Sequence, residues 1–89
     1  MNLDELLEQV NSKETFLEFV EALKHDKIEE EQKEKLNPSS PYSSGANGWE
    51  NDSIIDFLDS AHAFSLDSEE LDLSWKGFAL FLYAGKFYE

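Results

Sequence analysis

The chain has no cysteine. Disulfides, thiolate metal sites and cysteine nucleophiles are therefore excluded. It has no arginine either: all seven basic residues are lysine, set against 20 Asp and Glu for a formal charge of −13. Neutralising phosphates needs a basic patch, so this balance argues against a nucleic-acid binder and against docking on an anionic membrane. Histidine is limited to His25 and His62. Neither has, three or four residues away, the partner that a helical metal pair needs. Asp59 can reach the imidazole of His62, but the ordinary reading of both histidines is polar helix surface. A Gly-x-Ser-x-Gly elbow and a glycine-rich phosphate loop are both missing. Asp67-Ser68-Glu69 starts like a Ca²⁺ loop but lacks the central glycine and the terminal glutamate. No catalytic residue, cofactor or metal ligand is assigned on this basis.

Long apolar runs are lacking as well, and none approaches the roughly 20 residues that span a bilayer. Asp4, Glu5 and Glu8 stand where a secretory leader would carry basic residues. The expectation is a cytoplasmic protein. What the chain does have is apolar bulk: 40% hydrophobic and 13% aromatic residues, enough to fold despite the charge. Its 89 residues fit one domain, 1–89.

The apolar spacing is helical. Leu3, Leu6, Leu7 and Val10 predict a short first helix with Asn2 as N-cap. Asn11 and Ser12 are both capping residues for a long second helix, and Asn11 has Glu14 three positions later. Phe16, Phe19, Val20 and Leu23 form its stripe, widened by Leu17. Beyond Leu23 the helix continues on good helix formers to Asn37-Pro38, with Glu29-Glu30-Glu31 expected to be mostly solvated. Asn51, Asp52 and Ser53 compete to cap a third helix, with Ile54, Phe57, Leu58, Ala61 and Phe64 on the inner face and Asp56, Asp59 and Ser60 opposite. Residues 66–73 read as a connection. Ser74 caps a fourth helix carrying Trp75, Phe78, Ala79 and Leu82, and Gly85 is placed to end it as a left-handed cap. The expected fold is a small all-α domain of about four helices with a long ordered loop, 37–50, between the second and third.

That loop is the sharpest feature. Both prolines, two of the four glycines and four serines fall in residues 37–48, yet Tyr42 and Trp49 are rings a solvated linker does not need. One reading makes Trp49 a plug and the loop a mere crossing. The other has a rigid loop presenting Asn37, Asn47 and Glu50, with Tyr42 and Trp49, to a ligand or partner. The C-terminal aromatics form the second candidate. The stretch Phe78 to Tyr83 is apolar nearly all round, so Phe81, Tyr83, Phe87 and Tyr88 are proposed to face a partner or a second copy.

Three strings carry a resemblance: Asn37-Pro38-Ser39-Ser40-Pro41-Tyr42 continuing as Gly45-Ala46-Asn47-Gly48-Trp49-Glu50-Asn51, the ending Phe78-Ala79-x-Phe81-Leu82-Tyr83-Ala84-Gly85-Lys86-x-Tyr88-Glu89, and Ser12-Lys13-Glu14-Thr15-Phe16-Leu17. Together they resemble a family of small bacterial proteins catalogued as a domain of unknown function, over roughly residues 12–89. The resemblance implies a bacterial source, a free-standing domain and a 37–51 loop that is a family feature. It implies no catalytic residues.

Charge then sets the functional expectation. An acidic, cysteine-free helical domain suits binding a basic protein surface, as an inhibitor or immunity protein does, with complementary charge speeding association. The alternative is a small-ligand or enzyme domain built on the loop, for which a concave site beside it is the discriminating feature. Mimicry of nucleic acid has little support, because the net charge is spread evenly: six negative over 1–37 and seven over 38–89. The chain is expected to be a monomer or a homodimer.

Overall fold

The structure, a computed structural model, describes residues 2–39, 45–68 and 71–88. Tyr42 and the remainder of 40–44 lie outside the described residues. Four helices follow in order: α1 (Leu3–Glu8), α2 (Lys13–Leu36), α3 (Ile54–Asp67) and α4 (Trp75–Phe87). The fold is all-α.

Each start is fixed by a side-chain cap that satisfies one of the orphan N–H groups of the first turn. Asn2, Ser12, Ser53 and Ser74 accept from the amides of Glu5, Thr15, Asp56 and Gly77 respectively. Ser12 shares a capping box with Thr15, not Asn11 with Glu14, because the Thr15 hydroxyl reaches back to both the Asn11 and Ser12 amides. Asn37 ends α2 ahead of Pro38, as the restriction on the residue before proline requires.

The core joins Leu7, Val10, Phe19, Leu23, Trp49 and Ala79, with Phe16, Phe57, Leu80, Leu82 and Tyr83 packed around it. Helix α4 is the central element. It packs on α3 along one side and on α1 and α2 along the other, while α2 and α3 do not pack on each other. The molecule is a slab of 38 × 27 × 18 Å. Its thin dimension is under two helix diameters of about 10–12 Å each, so the outer helices keep one side uncovered.

Gly85 does not cap α4. The helix runs on to Phe87 with Tyr88 as its C-cap, and among the described residues Gly48 alone has positive φ. The glycine serves packing: a Cβ at Gly85 would lie 2.6 Å from the Phe57 ring. That same ring turns α3. Phe57 and Phe64 are half-buried and Ala61 buried; Ser60, read as outward, is buried where Asn51 bonds it, whereas Ile54 and Leu58, read as inward from spacing alone, face solvent.

Candidate functional site

The charged residues in the second half of α2 hold the loop. Asp26, Glu30 and Glu34 recur every four residues and therefore share one ridge of the helix. Glu30 sits in the middle and is 1% exposed. Its Oε1 accepts from the backbone amides of Asn47 and Trp49, both at 3.0 Å, while Oε2 accepts from Lys27 Nζ at 3.2 Å. One turn back, Asp26 Oδ2 accepts from the Trp49 indole Nε1 and from Lys86 Nζ, each at 2.8 Å. One turn on, Glu34 accepts from the Ser39 amide and hydroxyl and from the Ala46 amide. The expectation of a solvated Glu29-Glu30-Glu31 face is thus corrected at Glu30. A carboxylate enters a small interior when backbone donors and a lysine meet it there.

The residues of the loop match this task one by one. Gly45 passes so close to Glu30 that a Cβ would fall 2.2 Å from Oε1. The chain turns at once, with the Gly48 amide bonded to the Gly45 carbonyl and Gly48 at φ +86°, a backbone that only glycine adopts without strain. Asn47 is committed on both sides of its amide: Oδ1 accepts from Lys33, and Nδ2 donates to the Asp26 carbonyl. The Trp49 ring stacks on Phe57 at 6.4 Å and has Lys27 and Lys86 over it at 5.3 and 5.6 Å, close enough for cation–π attraction. Trp49 thereby bridges α2 to the α3–α4 pair. Past it, the Glu50 amide bonds to the Lys86 carbonyl, and Asn51 Nδ2 donates to Ser60 Oγ and the Gly85 carbonyl.

The site candidates divide accordingly. Asn47 and Trp49 come together on the α2 ridge; Asn37 is the exposed C-cap of α2, and Glu50 keeps its side chain at the surface. Flanking the loop are two open hollows. One, of about 400 Å³, is lined by Lys27, Glu31, Glu34, Lys35 and Asp52; the other, of about 490 Å³, includes Asp4, His25, Asp26, Glu29, Tyr83 and Lys86 in its walls. Asn47 and Trp49 line neither.

Among the C-terminal aromatics, Tyr83 packs edge-on against Phe19 and donates its hydroxyl to Asp4 at 2.7 Å. Burial and that carboxylate push its phenol up to about 12. Phe87 leans on Tyr83, Tyr88 packs on Phe64 with its hydroxyl on Asp67, and Phe81 is half-buried. Of these four residues, Phe87 is the most exposed.

Sequence reasoning missed a different surface. Helix α3 leaves Ile54, Ile55, Leu58 and Leu66 in water. The available signal was that the helix carries more apolar residues than one inward stripe can hold. Comparisons with known protein families, with characterised proteins and with solved structures found no match. Among the described residues, no cluster of His, Asp and Glu could hold a metal, and no helix is long and apolar enough to cross a membrane.

Proposed function

We propose that the protein is a non-enzymatic acidic interaction module of the inhibitor or immunity type, binding a basic protein partner in a bacterial cytoplasm. The observation that carries this reading is where the lysines go. Lys27, Lys33 and Lys86 spend their charge on Glu30, Asp52, Glu29 and Asp26 around the loop, and Lys24 and Lys76 pair with Glu21 and Glu8. What faces outward is then dominated by carboxylates, a field that steers a cationic protein and repels an anionic one. Among the described loop residues, Asn47 and Trp49 support the same choice over a ligand-binding one: hollows lie beside the loop, but these two line neither and their polar groups are used inside the chain.

The test is capture from the host lysate, followed by titration of the purified partner at rising salt. A basic partner whose association slows steeply with ionic strength is expected. A neutral or acidic partner, or affinity indifferent to salt, would contradict the proposal.

A further inference from the structure

We infer that the outward face of α3 is the docking surface, and that its occupant is a basic amphipathic helical segment of the partner. This rests on the reading of the protein as an acidic interaction module and names the place and the chemistry. Ile54, Ile55, Leu58 and Leu66 are 79%, 72%, 52% and 73% exposed. At about 100° per residue they fall, with the exposed His62, in one sector of about 120°. Asp59 follows next around the helix and Asp56 just past Ala63, so one edge of the apolar face is acidic. Helix α3 contains no lysine and packs on no helix but α4. Ile54, Ile55 and Leu58 make one cluster of large apolar side chains in water, with Leu66 beyond His62, and such clusters mark an interaction site.

Charge complementarity selects the occupant. A face with an apolar middle and an aspartate edge accepts a helix presenting aliphatic side chains beside Lys or Arg, the helix-on-helix mode of recognition. The fourteen residues of α3 offer about 21 Å of length, suited to a three- or four-turn segment. A second copy of this chain is a poor occupant. It would bring −13 against −13 and lay aspartates along aspartates. An anionic membrane is disfavoured by the same sign.

The experiment uses three peptides as probes: an amphipathic Leu/Lys helix, its Leu/Glu counterpart, and a Lys/Ser peptide of equal charge with no apolar face. Binding is measured by titration and located by backbone NMR. Expected is binding of the Leu/Lys peptide with shifts concentrated over residues 54–66. The double variant Ile54→Ser with Leu58→Ser should weaken it at least about tenfold, since exposed side chains leave the fold intact while the buried area on docking is lost. Leu17→Ser, on the exposed side of α2, should change it less than about twofold. Circular dichroism checks that each variant is folded. Equal binding of the Lys/Ser peptide, shifts confined to α2, or an unaffected α3 variant would overturn the inference and leave the acidic-module reading standing. A dimer formed through α3 would overturn it too. Failure of every basic peptide would remove both.

Discussion

At Glu30 one carboxylate oxygen receives two backbone N–H groups, and the other receives Lys27. Removing it leaves the buried Trp49 amide and the half-buried Asn47 amide without an acceptor, and an unsatisfied buried donor costs about 1–3 kcal/mol. Glu30→Ala is therefore expected to lower stability by about 2–4 kcal/mol, read as a shifted denaturant midpoint at constant slope, with Glu30→Gln costing less because an acceptor oxygen remains. Gly45→Ala drives a Cβ to 2.2 Å from the same oxygen, an overpacking cost of about 1–3 kcal/mol. The two changes act on one contact, so Glu30→Ala with Gly45→Ala should cost less than their sum. Strict additivity would contradict that contact. Glu30 was not legible in the sequence, because a glutamate inside a run of glutamates reads as solvated surface. What could have betrayed it is the recurrence Asp26, Glu30, Glu34, opposite a loop with glycine where close approach is needed.

The elements were legible where the cause is local. The caps Asn2, Ser53 and Ser74, and the stop at Asn37-Pro38, depend only on residues within a turn of the helix end. The orientation of α3 was not, because Ile54 and Leu58 satisfy helical spacing as well as Phe57, Ala61 and Phe64 do. Which set turns inward is decided by α4, whose Gly85 makes room for the Phe57 ring. Long-range contact likewise decides the role of Trp49. Since α2 and α3 do not pack on each other, the indole bridges them, stacked on Phe57 and bonded to Asp26. Trp49→Ala should cost about 3–5 kcal/mol by chemical denaturation. An unchanged midpoint would mean that α2 is held without the indole.

For the molecule as a whole, an excess of 13 negative charges on a slab one to two helices thick makes repulsion a global term. Added salt at neutral pH should raise the thermal midpoint. A lower midpoint would show that the screened ion pairs matter more. The pH limits follow from the anchors. Ser39 and the Ala46 amide hold the Glu34 carboxyl below its ordinary value of 4.5, and Lys33 and Asn47 do the same for Glu29. A lowered folded value contributes stability above about pH 4.5 that is lost as pH falls through it. Burial and Asp4 raise the Tyr83 phenol from 10.0 to about 12, so its link between α4 and α1 holds below pH 10 and fades as pH climbs through about 12. Expected is a stability plateau closed on the acid side by the loop anchors and on the alkaline side partly by Tyr83, a contribution that Tyr83→Phe removes.

Native-state hydrogen exchange at the Asn47 and Trp49 amides tests the carboxylate lock most directly. Both amides end on a buried oxygen of Glu30, so both should exchange only as fast as the whole fold opens. Exchange at the rate of a solvated turn would contradict the lock and return the loop to the surfaces open to a ligand.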